Sequence, residues 1–442
     1  MKSLWTALRS GHFGTLISAL LYFDVSFMVW VLVGALGIYI AGDLGLSPAQ
    51  KGLAVAVPAF GGALFRILLG FLADRYGPKK VGMVSLAAVL IPLTWGWLGG
   101  TTFQGLLGVG LLLGIAGASF AVAMPLASRS YPKEHQGMAM GIAGAGNSGT
   151  VIAALVAPRL AQHLGWHAVF GLAMIPVVLI LILFVFLARE APNLPQSNTF
   201  EQTMSVLREP DLWRFSLVYS LTFGGFVGLA GFLAIYLHDQ YGTPPVLAGT
   251  LTALCVFAGS FVRPLGGYLA DRVGGTTLLF YVFPVVEVAL GGMSFSPYLW
   301  LTVNLVFVAM IALGAGNGAV FQLVPERFHK EIGVVSGIVG AAGGVGGSLL
   351  PLLLGTSKEL TGSYHAGFIV FMAAVCLSLY PLWRYRGYRQ QRMAARTASV
   401  LPTLTGQPLT TQVDLPDSGW DGVRVRMELA FPPRLGKLAR EN

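Results

Sequence analysis

Gly62-Ala63-Leu64-Phe65-Arg66-Ile67-Leu68-Leu69-Gly70-Phe71-Leu72-Ala73-Asp74-Arg75-Tyr76-Gly77 returns 197 residues later as Gly259-Ser260-Phe261-Val262-Arg263-Pro264-Leu265-Gly266-Gly267-Tyr268-Leu269-Ala270-Asp271-Arg272-Val273-Gly274. Each copy sets one arginine inside an apolar run and closes on Leu-Ala-Asp-Arg-x-Gly. An internal repeat of this strength implies two structurally related halves. Eight residues separate Arg66 from Asp74, about 12 Å along a helix. The polar Asp-Arg-Tyr-Gly-Pro-Lys-Lys end marks a membrane surface. The middle of a hydrocarbon core of about 30 Å is about 15 Å down, so Arg66 and Arg263 both fall near the midplane. An arginine there costs roughly 2.5–3.5 kcal/mol on insertion scales. Two at one depth point to a site for an anion.

Composition agrees with a polytopic membrane protein. Of 442 residues 55% are hydrophobic and only 11% charged, with mean hydropathy +0.71; a soluble domain carries roughly 25% charge. The net charge of +9 resides in loops and tail rather than on a helical face, which argues against nucleic-acid binding and for topology. Cys255 and Cys376 both lie in apolar segments, so neither a disulfide framework nor a CxxC metal site is suggested. The start Met-Lys-Ser-Leu-Trp lacks a cleavage site before the first apolar run, so no removable signal peptide is read.

Apolar runs long enough to cross fall at 14–40, 50–73, 78–99, 104–130, 137–161 and 167–188, then at 212–238, 246–270, 276–297, 299–325, 332–355 and 365–384. The expected fold is therefore an all-α membrane protein of twelve helices in two pseudo-symmetric six-helix halves around a central cavity. The halves cover 1–188 and 212–385, joined by a polar linker over 189–211 and followed by a flexible tail over 386–442. One set of loops carries Lys2, Arg9, Arg75, Lys79, Lys80, Arg129, Lys133, Arg189, Arg208, Arg272, Arg327, Lys330, Arg384, Arg386 and Arg389. The other carries little beyond Lys51 and Lys358, with Arg159 at a helix end. Positive loops stay inside, which places both termini and the linker in the cytoplasm.

The halves agree beyond the arginines. Gly114-Ile-Ala-Gly-Ala-Ser-Phe-Ala-Val-Ala-Met-Pro125 parallels Gly314-Ala-Gly-Asn-Gly-Ala-Val-Phe-Gln-Leu-Val-Pro325, and Gly137, Gly141 and Gly144 recur as Gly333, Gly337 and Gly340. Parallel six-helix halves resemble the major facilitator superfamily, whose sites lie near midplane between the halves. Gly-x-Leu-Ala-Asp-Arg-x-Gly-x-Lys-Lys at Gly70–Lys80 resembles that superfamily's cytoplasmic loop signature. Asp74 and Arg75, with Asp271 and Arg272, are read there as a gate that pairs with basic groups, helix N-termini or acids.

More specific features are Arg66 and Arg263, Gly144-Ala-Gly-Asn147-Ser-Gly149, Gly314-Ala-Gly-Asn317-Gly and Tyr219-Ser-Leu-Thr-Phe223-Gly-Gly-Phe. Together they resemble the nitrate/nitrite porter family over residues 15–385. The resemblance implies nitrate or nitrite held between Arg66 and Arg263, with Tyr219, Asn147, Phe120 and Phe223 around it; Asn317, Gly144 and Gly340 join this set. One departure stands out: Gly343 lies where the repeat would place a partner for Asn147. The residue types suit a small planar oxyanion, because a guanidinium stays charged and offers a planar fork of donors. Aromatic walls exclude water and strengthen those bonds.

Each assignment has a structural competitor. The arginines could pair with buried acid, and only Asp24 and Glu287 sit well inside apolar runs. The glycine rows could serve close helix packing, Asn147 and Asn317 could bond across helices, and Phe120 and Phe223 could be packing. A buried acid can also carry a proton, and Asp24, about 15 Å deep by helix rise, is the better proton candidate. Anion uptake against a negative-inside potential costs about 2.3 kcal/mol per 100 mV, whereas exchanging nitrate for nitrite moves no net charge.

The expected function is secondary active transport of nitrate and/or nitrite by alternating access, as nitrate uptake by proton symport. The alternatives are nitrate/nitrite antiport, a porter for another small anion, or a nitrate-sensing receptor built on a transporter. The expected setting is the bacterial inner membrane, with a monomer in contact with lipid, no nucleic-acid partner, no cofactor and no metal. An enzyme is disfavoured: the chain has no Walker loop or nucleophile–base spacing, and its seven histidines fall near helix ends or in loops.

Overall fold

The computed structural model describes residues 10–99, 102–132, 135–190, 205–328 and 332–405. Lys2, Arg9, Lys133, Lys330, most of the linker and the tail from 406 lie outside the described residues. Among those described, twelve helices are long and apolar enough to cross a membrane. In the first half they are Phe13–Trp30, Pro48–Tyr76, Pro78–Leu98, Phe103–Arg129, Met138–Leu164 and Trp166–Leu187. In the second they are Pro210–Tyr241, Pro245–Val273, Gly275–Phe295, Leu299–Arg327, Val334–Thr361 and His365–Tyr385.

Local chemistry explains the ends of the repeated stretch. The second helix starts at a capping box, in which the Ser47 side chain accepts from the Gln50 amide and Gln50 accepts from the Ser47 amide, with Pro48 at the first position. It stops at Gly77, and the eighth stops at Gly274, with φ of 93° and 87°. A β-carbon is strained at such angles, which accounts for the glycine that ends both copies.

Three expected single helices of the first half are broken. The first run continues past Trp30 as the short helices Leu32–Ala35 and Gly37–Leu44. Trp30 lies across the second helix and its indole N–H donates to the Pro58 carbonyl (2.7 Å). The fourth splits into Phe103–Gly117 and Phe120–Arg129. The fifth splits into Gln136–Gly144, a 3-10 turn over Ala145–Ser148, and Gly149–Leu164. Their counterparts Pro210–Tyr241, Leu299–Arg327 and Ile332–Thr361 run unbroken.

The last helix runs His365–Thr405, past the start of the tail expected at 386. Its polar extension is rich in Arg, Gln, Met and Ala, all strong helix formers. The chain divides into compact units Met1–Gly387 and Tyr388–Asn442; the first holds both halves and the site below.

Polar contacts between the halves cluster away from the basic loops. Lys51 pairs with Asp239 (2.8 Å), Ala49 N–H donates to Glu359 (3.1 Å), and Arg159 donates to Thr250 (2.9 Å). Backbones also meet there. A side chain on Gly34 would collide with Gly231, and one on Gly52 would lie 2.5 Å from the Pro351 carbonyl oxygen. Gly34 and Gly231 are repeat mates, 197 residues apart, so the two halves touch on their own pseudo-symmetry axis. The bundle is closed on the face opposite the basic loops.

Candidate functional site

Arg66 is 1% exposed. Its Nη1 donates to the Gly340 carbonyl across the half-to-half boundary (2.6 Å), and its Nη2 donates to the Gly117 carbonyl (2.8 Å). The break in the fourth helix frees that second carbonyl. The Ala121 amide, its usual helical donor, bonds Ala118 instead (3.0 Å). Gly340 is bare because Arg66 lies on it; a β-carbon would sit 3.1 Å from Arg66 Cδ.

Arg263 is held more loosely. Its Nη2 donates to the Tyr219 hydroxyl at 3.4 Å. Both guanidiniums face the same two rings. Arg66 Cζ lies 5.5 Å from the Phe120 centroid and 5.6 Å from Phe223, and Arg263 Cζ lies 5.8 and 5.9 Å from them. Tyr219 stacks on Phe223 with centroids 5.0 Å apart and planes 5° apart. The fold thus places Arg66, Arg263, Tyr219, Phe120, Phe223 and Gly340 beside one another. Cation–π contact with these rings favours the positive charges at this depth.

Phe321 was missed. Its ring lies 5.6 Å from Arg263 Cζ, 5.4 Å from Phe120 and edge-on to Tyr219 at 5.0 Å. The signal was present in the Gly314–Pro325 stretch, where an aromatic falls one position off the register of Phe120.

Asn147 is buried on the 3-10 turn, which packs against the first helix and the arginine-bearing eighth. Asn317 is buried one residue before Gly318, which abuts the Arg263 backbone. Neither Oδ1 has a protein partner, and the same holds for Arg66 Nε and Arg263 Nη1. Gly144 faces open space, with nothing within 4 Å of an added β-carbon. No packing demand therefore accounts for it.

Asp24 does not join the arginines, which corrects the structural ion pair considered for it. Its carboxylate accepts from the Ser148 hydroxyl (2.6 Å) and faces an apolar cavity of about 420 Å³ between the first, fifth and sixth helices. The helix turn that carries it points outward, because Gly146 and Gly149 press the fifth helix onto its backbone. Among the described residues no carboxylate, Glu287 included, forms an ion pair with Arg66 or Arg263.

At the basic face Asp74 pairs with Arg129 (2.6 Å) within its own half. Arg75 lies over its neighbour Tyr76, and Arg272 over Tyr268. Asp271 is exposed; Arg327, at the end of the tenth helix, is drawn to Asp211 (2.7 Å) and Glu209 (2.8 Å). Among the described residues these gate residues do not bridge the halves.

Two parallel six-helix halves around a midplane pair of arginines define a membrane transporter rather than an enzyme. The description "Major Facilitator Superfamily" matches residues 18–351. A "Nitrite extrusion protein" of Bacillus subtilis is 35% identical over 81% of this chain and 92% of its own length. A "Probable nitrate/nitrite antiporter NarK1" of Thermus thermophilus is 32% identical over 83% of this chain and 89% of its own. The human organic anion transporter MFSD10 shares the fold with a TM-score of 0.64 at 16% identity, over 84% of this chain and 99% of that one. A bacterial homologue of the lysosomal transporter Spinster, inward-facing and occupied, gives 0.62 at 18%, over 83% and 95%. The chain belongs to the nitrate/nitrite porter family of the major facilitator superfamily.

Proposed function

We propose that this protein carries nitrate and nitrite across the bacterial inner membrane by alternating access, with both termini cytoplasmic as the basic loops require. The observation that carries the reading is the arginine pair. Arg66 and Arg263 face the same two rings, each keeps a buried guanidinium nitrogen without a protein partner, and no described carboxylate neutralises them. A buried donor left unpaired costs about 1–3 kcal/mol. A small planar oxyanion between the guanidiniums satisfies those donors and removes the repulsion between two like charges. Tyr219, Asn147 and Asn317 supply further polar atoms, and the names of the relatives support the choice of anion.

The geometry supports exchange of nitrate for nitrite over proton symport. No acid touches the arginine pair among the described residues, so the anion itself is the group that neutralises it. Return of the empty carrier, with two uncompensated buried charges, is then disfavoured, and each half-cycle requires an anion. Symport is the second reading, favoured by Asp24 holding the Ser148 turn beside Asn147. In this account Asp24–Ser148 couples the first helix to the break in the fifth.

The test is anion flux in proteoliposomes. Nitrate uptake is expected to need nitrite or nitrate on the opposite side and to ignore an imposed pH gradient. Uptake driven by a pH gradient into anion-free vesicles replaces exchange with symport. Absence of both fluxes removes the substrate assignment.

A further inference from the structure

We propose that Gly343 is a specificity-determining position that sets the width of the slot between the Tyr219–Phe223 stack and the guanidiniums, and so sets the ratio of nitrate to nitrite transport. The inference rests on the function proposed above. Gly343 is the position at which the repeat departs from Asn147, and the structure supplies a reason. An added β-carbon would lie 2.6 Å from Tyr219 Cε1, 2.7 Å from Tyr219 Cδ1 and 2.8 Å from Phe223 Cδ1. All three are inside the 3.4 Å at which ordinary contact begins. The rings occupy the volume that an asparagine fills in the other half.

The helix cannot back away to make room. Gly344 abuts Ala63 of the second helix, with its would-be β-carbon 2.9 Å from Ala63 Cβ, and Gly346 packs directly on the Ser220 backbone of the seventh. Clamped between two helices, it transmits any added volume at 343 to the rings. The rings are flanked by Phe321 and by the two arginines. Phe321 stands edge-on against Tyr219 at 5.0 Å, and both guanidiniums lie under 6 Å from Phe223. A methyl group at 343 therefore drives the stack toward the arginines and narrows the slot. Nitrate is trigonal with three oxygens, whereas nitrite is bent with two, so narrowing penalises nitrate more.

The experiment measures KM for nitrate and nitrite in proteoliposomes for wild type, Gly343→Ala, Phe223→Leu and the double variant. Gly337→Ala is the control, on the same helix where an added β-carbon meets nothing within 4 Å. Gly343→Ala is expected to raise nitrate KM about tenfold, the scale of one misplaced methyl group, and nitrite KM much less. Phe223→Leu widens the slot and is expected to shift the ratio the other way; the double variant returns toward wild type. If Gly343→Ala fails to fold, the Phe223→Leu arm decides alone, and an unshifted ratio there overturns the proposal. Equal losses for both anions in Gly343→Ala, or no change, also overturn it and leave the function standing. A wild type that carries neither anion removes both the function and this inference.

Discussion

The two arginines are repeat mates at one depth, yet their settings differ, and the difference follows from how each half is built. Arg66 is anchored by two carbonyls, one of them released by the break in the fourth helix. The matching tenth helix is continuous, so no carbonyl is released for Arg263, which reaches only the Tyr219 hydroxyl at 3.4 Å. The tyrosines differ in the same sense. Tyr22 is the repeat mate of Tyr219, 197 residues earlier, but its hydroxyl is turned away to Ser85 (2.8 Å) and its ring lies against Phe184. One half fixes its arginine to the scaffold, and the other leaves its arginine available to a ligand.

The largest effect should come from the fixed arginine. Arg66→Lys cannot span both carbonyls, and hydrogen bonds from a charged donor are worth about 1.5–3 kcal/mol each. Flux should fall by about 100-fold, with a lower thermal midpoint in detergent. Arg263→Lys should lose anion affinity with little change in thermal midpoint. Equal thermal losses in the two variants would erase the distinction between an anchored and an available arginine.

Next comes the lock that joins the halves. Lys51 and Asp239 are 18% and 14% exposed, and Tyr364 also donates to Asp239 (2.9 Å). Lys51→Ala should shift the population toward separation of that face by about fivefold, on about 1 kcal/mol for a well-formed partly exposed pair. Distance measurements between spin labels across the face report this shift. The swap Lys51→Asp with Asp239→Lys should restore the wild-type distribution; failure to do so would assign closure to backbone packing alone.

A smaller effect separates the tyrosines. Tyr22→Phe should cost about 1 kcal/mol of stability, the loss of one buried hydrogen bond, with anion KM unchanged. Tyr219→Phe should raise KM at unchanged stability. The reverse pattern would mean that the first half, not the second, presents its tyrosine to the anion.

The smallest effect concerns the entry to the first helix, where His12 Nδ1 accepts from the Thr15 amide (3.0 Å). Burial, then the neighbouring Arg189, hold the His12 pKa below its ordinary 6.5. A depressed value means that the cap is fully present above pH 6.5 and is lost as pH falls through the lower folded value. The thermal midpoint should therefore fall slightly between pH 7.5 and 5, and His12→Asn, a cap that does not titrate, should shrink that difference.

Much of this was legible in the chain. The apolar runs give the twelve helices, and the repeated arginine stretch marks the pair as a candidate site, because a buried charge in an apolar run is too costly to be incidental. Tyr219, Phe223 and Phe120 were readable from the resemblance. Phe321 lay in the stretch that parallels Phe120's but one position off its register, and one residue turns a side chain by about 100°, so the parallel alone did not point it at the site. Whether Asp24 would meet the arginines was not readable for a related reason: spacing along a helix says nothing of azimuth, and the glycines at 146 and 149 settle azimuth only once the helices are packed. The breaks in the first, fourth and fifth helices were also hidden. Ala118-Ser119 carries no strong breaker, and Gly146-Asn147-Ser148 are weak helix formers inside a run that also holds other glycines, so tertiary demand for a free carbonyl or a close approach decides where each helix breaks.

The contact of Gly34 with Gly231 has a kinetic consequence. A seam made of bare backbone has no rotamers to reorder and no interdigitated side chains to withdraw when it parts. The activation barrier for opening that face then falls mainly on the polar contacts of Lys51, Ala49 and Arg159 rather than on the seam. A carrier closed by glycine on its own pseudo-symmetry axis can seal tightly and still turn over quickly, because tightness there comes from proximity and not from interlock.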